Sequence, residues 1–326
     1  MTAIGLPSSE HYHGYQQGKI SFVPSGLRGQ LRHHEPMAEH SSWRAGGCAE
    51  WFYIPADLED LIQFMPQIPL GMPVFWCGLG SNILVRDRGL PGVVIATAGL
   101  LNGLTWLSSD CLRVEAGVSC AKIARETSKM SLTGAEFLAG IPGTLGGALA
   151  MNAGAWGGET WNLVQSVEVL TLHGEHRRRA VVDYQVGYRH VMGPSDEWFV
   201  AATLKLAPDS DGAASQRIRE LLKQRNEKQP IGLPSCGSVF RNPPGDYAAR
   251  LIEAAGLKGR IYGGACVSEK HANFIINQHQ ATAHDIETLI HQVQQAVAEQ
   301  FGVHLQTEVR IIGCGDTVEL EQAVDW

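Results

Sequence analysis

The segment GAEFLAGIPGTLGGALAMNAGAWGG, residues 134–158, holds eight glycines, one proline and almost no charge. Average glycine usage in proteins is only about 7%, so this density needs a physical cause. Glycine is tolerated in such numbers where the backbone takes positive φ or approaches something closely. With Thr144 and Asn152 among its few polar side chains, the segment predicts a bed of main-chain amides for a large, flat, phosphate-bearing ligand such as a nucleotide cofactor.

A second glycine motif, GLGSNILVRD at residues 78–87, follows the apolar run PVFWC. A β-like run, ILV, comes next instead of a helix, which argues against a Rossmann fold because that fold needs strand, glycine turn and helix in this order. Successive amides of Gly80, Ser81 and Asn82 are suited to a nest for a pyrophosphate. An ordinary hairpin turn is the alternative for this motif taken alone.

Composition limits the remaining possibilities. The 326 residues exceed the size at which a single core stops growing, so two or three domains are expected. A net charge of -7 without a block of like charges argues against a nucleic-acid or anionic-membrane partner, and no dedicated feature for a protein partner is evident. Seven cysteines without a CxxC pair predict reduced thiols, and thirteen scattered histidines predict no metal site. The first residues lack a secretory signal pattern, so a cytoplasmic protein is expected.

Alternating helix and strand patterns follow along the chain. Asp57 and Asp246 are predicted to begin two helices, and Thr282 with Asp285 forms a capping-box pattern before a third. The run at 166–182 predicts a hairpin that turns at 173–174. Strands are predicted at 50–54, 73–77, 92–97, 112–115, 198–206, 274–277 and 308–312. The apolar stripe of the third helix is predicted to be core: Ile286, Leu289, Ile290, Val293, Val297 and Phe301.

Several motifs, in order, resemble those of the UDP-N-acetylenolpyruvoylglucosamine reductase (MurB) family. They are GLGSNILVRD, GAEFLAGIPGTLGGALAMNAGAWGGE, GYR at 187–189, CGSVFRNPPG at 236–245 and TEVRIIG at 307–313. The resemblance covers about residues 31–313. It implies a cytoplasmic flavoenzyme of peptidoglycan precursor synthesis, and hence of cell-wall formation, cell shape and cell division, that uses non-covalent FAD and NADPH to reduce the enolpyruvyl ether of a UDP-amino sugar to a lactyl ether.

The implied fold is α+β: a two-subdomain FAD-binding fold of the p-cresol methylhydroxylase/vanillyl-alcohol oxidase type, plus a C-terminal α+β substrate-binding domain. On this basis residues 1–30 are an N-terminal tail, 31–98 and 99–207 are the two FAD-binding subdomains, and 213–318 form the substrate-binding domain. The short spacing between Arg189 and CGSVFR is similar to the subgroup that lacks an extra tyrosine-bearing substrate loop.

By the resemblance, Ser238 is the proton donor, while Arg189 and Glu308 polarise the substrate carboxylate and its enolate-like intermediate. A guanidinium matches two carboxylate oxygens at once, whereas Glu308 can help only if it carries or shares a proton. Substrate contacts are expected at Tyr188, Asn242, Lys228, Arg241 and His271, with Lys270 nearby. Cofactor contacts are expected at Gly78, Gly80, Ser81, Asn82, Ile83, Gly134, Pro142, Gly143, Gly146, Gly147, Asn152, Gly154 and Ala155.

Three positions depart from the family pattern. Val191 stands where a serine is usual, Cys48 where proline is common, and Arg241 where lysine is usual. Two rival classes remain at this point. An oxidase of the same flavin-binding architecture would share the glycine motifs but would use oxygen, and a non-catalytic nucleotide-binding protein would have no reason to keep Arg189, Ser238 and Glu308 together.

Overall fold

The computed structural model of the chain describes residues 2–3 and 22–315. Most of the predicted tail, residues 1–30, and the last three residues of the predicted C-terminal domain, 316–318, lie outside these described residues. The helices are α1 (Leu58–Phe64), α2 (Cys120–Lys129), α3 (Leu145–Ala150), α4 (Ala214–Lys228), α5 (Ala248–Ala254) and α6 (Ala283–Phe301).

Strands alternate with these helices throughout. They are β1 (Thr2–Ala3), β2 (Gln30–Pro36), β3 (Cys48–Ile54), β4 (Val74–Cys77), β5 (Ile83–Val85), β6 (Leu90–Ala96), β7 (Leu104–Trp106), β8 (Cys111–Glu115), β9 (Leu132–Thr133), β10 (Gly154–Ala155), β11 (Gly158–Glu159), β12 (Val164–Thr171), β13 (His176–Ala180), β14 (Gln185–Gly187), β15 (His190–Gly193), β16 (Glu197–Lys205), β17 (Ala207–Pro208), β18 (Ile261–Tyr262), β19 (Ala265–Val267), β20 (Ile275–Asn277) and β21 (Arg310–Ile312). Each predicted strand overlaps one of these, with ends shifted by one or two residues.

The described chain forms two compact units, each assembled from separate stretches. The first contains the described residues up to His33, then Trp51–Leu79 and Gly92–Lys223. The second contains His34–Glu50, Gly80–Pro91 and the described residues from Gln224 onward. The division into tail, two FAD-binding subdomains and a substrate-binding domain stays a prediction.

The first unit is built around a five-stranded sheet in the order β13-β12-β16-β8-β7. Strand β16 is central and buried along almost its whole length, because both of its edges are paired and both of its faces are covered. The predicted hairpin is present as β12 and β13, and Gly174 supplies the positive φ of its turn. Helix α2 begins at the Ser119 cap, whose hydroxyl accepts from the amide of Lys122. The apolar core of this layer includes Leu112, Val114, Ile123, Leu145, Leu149 and Val167.

A four-stranded sheet follows the order β2-β3-β6-β4, and β4 runs parallel to β6. Helix α1 begins as predicted, because the carboxylate of Asp57 accepts from the amide of Asp60 at 2.9 Å. The carboxylate of Asp60 is itself buried, where it accepts from the amides of Arg28 and Ala56 at 2.6 and 3.0 Å.

The second unit packs α5 and α6 on the antiparallel sheet β18-β19-β20, with the parallel pair β21-β5. Helix α6 begins with the predicted capping box, since Thr282 and Asp285 each accept from the other's amide at 3.0 Å. Its stripe is buried as predicted except for Phe301, which is exposed at the last turn.

The predicted start of α5 is wrong. Asp246 is not its cap; the helix begins after Tyr247, and the Asp246 carboxylate accepts from the Tyr247 amide at 2.7 Å and pairs with Arg250. The amide of Ala248 donates instead to the side chain of Asn242 at 3.1 Å. Asn242, six residues before Ala248, therefore caps the helix in place of the predicted Asp246.

Candidate active site

Ser238 and Glu308 lie on two neighbouring segments of the second unit. We call residues 235–241 the Ser238 segment and residues 306–310 the Glu308 segment. Phe240 forms an antiparallel bridge with Thr307, and the amide of Glu308 donates to the carbonyl of Val239 at 2.7 Å. The residue after Ser238 is thus hydrogen-bonded to Glu308. The two predicted catalytic residues, 70 positions apart in the chain, are brought together by this pairing.

Positive charge accompanies both segments. The Nε atom of Arg241 is buried and has no hydrogen-bond partner within residues 22–315. Burial, and then the positive charge of Arg241, lower the pKa of Arg310 to about 10. Each segment therefore carries a guanidinium group that favours negative charge in its surroundings.

The loop from Gly80 to Ile83 borders the Glu308 segment. The carboxamide of Asn82 donates to the carbonyl of Glu308 at 3.0 Å, and the amide of Arg310 donates to the carbonyl of Asn82 at the same distance. Asn82 is predicted only as a cofactor contact. Its hydrogen bond to Glu308 is not predicted, because no local pattern indicates a bond across 226 residues.

Gly80 fits the predicted phosphate nest. It takes a φ of +60°, and a Cβ at this position would collide with the carbonyl of His40. The amides of Gly80 and Ser81 make no hydrogen bond within residues 22–315. The ordinary-turn alternative gives no reason for leaving two successive donors available, whereas an anion would accept from both.

Arg189 lies at the tip of the hairpin formed by β14 and β15 in the first unit. It takes a φ of +55°, and its guanidinium donates to the carbonyls of Asn152 and Gly154 at 3.3 and 2.6 Å. The guanidinium carbon also lies 5.1 Å from the ring centre of Tyr188, whose side chain is exposed. The structure therefore brings Arg189 and Tyr188 onto the glycine-rich segment.

Asn152 is fully buried, and the hydrogen bonds of its carboxamide connect the glycine-rich segment to the Arg189 hairpin. Its Nδ2 atom donates to Glu159 and to the carbonyl of Gly187, both at 3.0 Å, and its Oδ1 accepts from the amide of Trp161 at 3.1 Å. These bonds use the carboxamide to hold the base of the Arg189 hairpin against the glycine-rich segment. A cofactor contact by Asn152 stays a prediction.

Thr144 supplies the clearest test of whether the glycine-rich segment fits FAD. Its hydroxyl is buried and has no partner within residues 22–315. A Cβ on Gly78 would lie 2.5 Å from this hydroxyl, and one on Gly146 would lie 3.1 Å from the side chain of Ala116. A buried hydroxyl without a partner, next to a position where no Cβ fits, is suited to a ligand rich in hydrogen-bonding groups such as FAD. Thr144 is absent from the predicted contacts, although it is among the few polar residues of the segment.

Of the other predicted cofactor positions, Ile83 is the first residue of strand β5, and the rest lie in the glycine-rich segment. Gly134 takes a φ of +104° and donates its amide to Glu136 at 2.7 Å. The carbonyl of Gly143 accepts from the amide of Cys120 at 2.9 Å, which anchors the turn before α3. The remainder occupy that turn, helix α3 or strand β10: Pro142, Gly147, Gly154 and Ala155.

Except for Tyr188, which belongs to the first unit, the predicted substrate contacts lie in the second unit. Asn242 caps α5, as described above, and Lys228 is exposed at the end of α4. Lys270 is exposed and donates to the carbonyl of Asn226 at 2.5 Å. His271 is half-buried, and burial lowers the pKa of its imidazole. None of these contacts is tested by the geometry.

Two further properties concern the described residues alone. No group of three His, Cys, Asp or Glu side chains within them is arranged to hold a metal ion. None of the helices they form has the length and apolar character needed to cross a membrane.

Comparison with known proteins matches both halves of the chain to families. Residues 50–179 match an FAD binding domain, and residues 229–312 match the C-terminal domain of UDP-N-acetylenolpyruvoylglucosamine reductase. The chain is 60% identical to the UDP-N-acetylenolpyruvoylglucosamine reductase of Alkalilimnicola ehrlichii over 87% of its own length and 95% of that protein, and 57% identical to that of Methylococcus capsulatus over 88% and 94%.

A solved structure gives the same result. The crystal structure of UDP-N-acetylenolpyruvylglucosamine reductase (MurB) from Thermus caldophilus aligns with a TM-score of 0.75 at 31% identity, covering 87% of this chain and 99% of that one. The fold and the FAD binding domain define an FAD-dependent oxidoreductase, which confirms the predicted fold class and cofactor. Within that class, the chain belongs to the UDP-N-acetylenolpyruvoylglucosamine reductase family.

Proposed function

We propose that Ser238, Glu308 and Arg189 carry out the reduction of UDP-N-acetylglucosamine enolpyruvate to UDP-N-acetylmuramate, the reaction of this family in peptidoglycan precursor synthesis. FAD, when bound, supplies hydride transfer from NADPH to the enolpyruvyl double bond. Thr144 would hold the cofactor through its hydroxyl, and Gly80 and Ser81 would do so through their backbone amides. The protein must then provide a proton and must stabilise negative charge next to the carboxylate.

Ser238 supplies the proton to the carbon that bears the carboxylate. A serine hydroxyl is a weak acid in water, so donation requires positive charge that stabilises the resulting alkoxide. The guanidinium groups of Arg241 and Arg310, on the Ser238 and Glu308 segments, provide this charge. Their presence turns an otherwise unsuitable donor into a workable one.

Arg189 and Glu308 act on the substrate carboxylate. The planar guanidinium of Arg189 matches two carboxylate oxygens, and its hydrogen bonds to the carbonyls of Asn152 and Gly154 fix its orientation. Glu308 acts in a form that carries or shares a proton, because two bare carboxylates would repel each other. Its backbone is held from two directions, by Val239 and by Asn82.

The observation that carries the assignment is the bridge between Phe240 and Thr307, which places the segments of Ser238 and Glu308 side by side. The proposal extends to domain roles: residues 31–98 and 99–207 hold FAD, and 213–318 bind the substrate. The family matches at 50–179 and 229–312 support this division. The partner is a small-molecule UDP-sugar, and we place the enzyme in the cytoplasm, with no nucleic-acid or membrane partner and no dedicated feature for a protein partner.

The test is Ser238→Ala, with the two half-reactions measured separately by rapid mixing of the holoenzyme. Loss of a general acid typically costs 10² to 10⁴ in rate, so reoxidation by the enolpyruvyl substrate is expected to slow by about 10³-fold. Flavin reduction by NADPH should stay near the wild-type rate. Ser235→Ala, three residues earlier in the same segment, is the matched control. Equal loss of both half-reactions in Ser238→Ala would refute the proton-donor role.

A further inference from the structure

Residues 271–274, HANF, contain a buried side chain that has no role in the mechanism proposed above. Asn273 is 4% exposed, and its carboxamide bonds to both backbone groups of Phe240. The amide of Phe240 donates to Oδ1 at 2.9 Å, and Nδ2 donates to the carbonyl of Phe240 at 2.8 Å. A side chain thus pairs with a backbone residue as a neighbouring β-strand would.

Asn273 also holds this segment through its own main chain. Its carbonyl accepts from the amide of Val239 at 2.9 Å. The opposite edge of the segment pairs with Thr307 and Glu308, as described above. The two residues that follow Ser238 are therefore fixed on both edges, by Asn273 on one side and by the Glu308 segment on the other.

We propose that Asn273 is a positioning residue for proton transfer, which sets the place of Ser238 relative to Glu308 by clamping Phe240. The inference rests on the proposed role of Ser238. Among the side chains, Asn and Gln alone present a donor and an acceptor on one planar group without titrating. Without this carboxamide, both backbone groups of Phe240 would be left buried without a partner on that edge, and the segment would shift to satisfy them.

A second asparagine of the same stretch separates positioning from support of the fold. Asn277, four residues on, uses its carboxamide in the same manner: Nδ2 donates to the carbonyl of Trp43 at 2.9 Å, and Oδ1 accepts from the amide of Ala281 at 2.7 Å. Its side chain makes no hydrogen bond to the Ser238 segment within residues 22–315. Asn277→Asp is therefore a control with equal chemistry and a different target.

The experiment compares Asn273→Ala, Asn273→Asp and Asn277→Asp as holoenzymes with matched flavin content, and measures each half-reaction. Asn273→Ala is expected to slow reoxidation by the enolpyruvyl substrate about tenfold or more, at every pH, while NADPH reduction stays near wild type. Asn277→Asp should lower thermal stability and leave the ratio of the two half-reaction rates unchanged. If both half-reactions fall together in Asn273→Ala, or if Asn277→Asp reproduces its pattern, Asn273 is structural and the proposal fails.

The pH profile of Asn273→Asp adds a readout that a purely structural role would not change. The introduced carboxyl can mimic the carboxamide only while protonated, because then it has one donor and one acceptor. Reoxidation by this variant should match wild type in acidic buffer and fall as pH rises and the carboxyl ionises. The titratable neighbours His271, Lys270, Arg241 and Glu308 are present in Asn273→Ala too, so the difference between the two variants isolates the new group.

A profile of Asn273→Asp that runs parallel to that of Asn273→Ala would overturn the proposal. Its failure is distinct from failure of the proposed function. If Ser238→Ala leaves reoxidation intact, the proton-donor role is wrong; if Ser238→Ala blocks reoxidation but both Asn273 variants match wild type, only the positioning role is wrong.

Discussion

The glycine-rich segment of the first unit and the Ser238 segment of the second are held in opposite ways. Residues 134–158 carry few side chains, and the hydroxyl of Thr144 is buried there without a partner in the described chain. The residues after Ser238 are paired on both edges, by Asn273 and by the Glu308 segment. The first segment leaves a buried side-chain hydroxyl available, whereas in the second both backbone groups of Val239 and of Phe240 are hydrogen-bonded.

This difference follows from what each segment has to bind. A dinucleotide is large and carries many hydrogen-bonding groups, so it can use a buried hydroxyl such as that of Thr144, and backbone without a Cβ can approach it closely. Proton delivery needs one hydroxyl in one place, and a displacement of about 1 Å can cost on the order of 10²-fold in rate. Carboxamide hydrogen bonds, from Asn273 to Phe240 and from Asn82 to the carbonyl of Glu308, restrain the backbone near the proposed proton donor Ser238.

The largest effect after loss of Ser238 itself is expected from Glu308→Gln. The amide keeps the shape but cannot exchange a proton with the substrate, so reoxidation should slow by about 10²-fold while NADPH reduction is unchanged. Glu287→Gln is the matched control, because Glu287 belongs to the same unit and pairs with Arg86 at 2.8 Å. Unchanged turnover in Glu308→Gln would remove Glu308 from the mechanism. Ser238 would then be the one proposed catalytic residue of these two segments.

A smaller effect, on binding instead of rate, is expected from Thr144→Val. The valine removes a buried hydroxyl that has no protein partner, so the free energy of unfolding of the apoprotein should rise by about 1 kcal/mol. FAD affinity should fall about tenfold, since the cofactor loses the hydrogen bond that this hydroxyl is placed to make. Titration of the apoprotein with FAD and chemical denaturation measure the two quantities.

Thr127→Val is the control for that experiment. The Thr127 hydroxyl is also buried, but it donates to the carbonyls of Ile123 and Ala124 at 3.0 and 3.1 Å. Its removal should lower the free energy of unfolding by about 1 kcal/mol and leave FAD affinity unchanged. If both valine variants lower the free energy of unfolding, Thr144 is an ordinary buried threonine. The comparison between the two segments then fails for this residue.

Local sequence patterns predict some features of this molecule, but they cannot predict its long-range side-chain hydrogen bonds. The high glycine content of residues 134–158 is a pattern visible in the local sequence. The start of α6 is visible in the same way, because Thr282 begins a capping box within four residues. The clamp from Asn273 to Phe240 spans 33 residues and the bond from Asn82 to Glu308 spans 226, so no local pattern encodes either. The prediction that Asp246 begins α5 is wrong because a more distant residue, Asn242, accepts the hydrogen bond from the first helix amide, that of Ala248.

The same limit explains which catalytic assignments needed family resemblance. Arg189, Ser238 and Glu308 are single residues of common types, and each alone fits an ordinary structural role. Their motifs identify the family, and the bridge between Phe240 and Thr307 gives two of them a shared location. Helices α2, α3 and α4 have no predicted counterpart, because none of them combines a predicted cap with a long apolar stripe.

The most direct test of the whole account is an anaerobic reoxidation measured on the purified holoenzyme. The protein should be yellow, release one FAD per chain on denaturation, bleach with NADPH, and regain its absorbance rapidly when UDP-N-acetylglucosamine enolpyruvate is added without oxygen. A colourless protein that takes up no FAD, or a bleached protein that only oxygen restores, would contradict the account and would favour a nucleotide-binding protein or an oxidase, respectively.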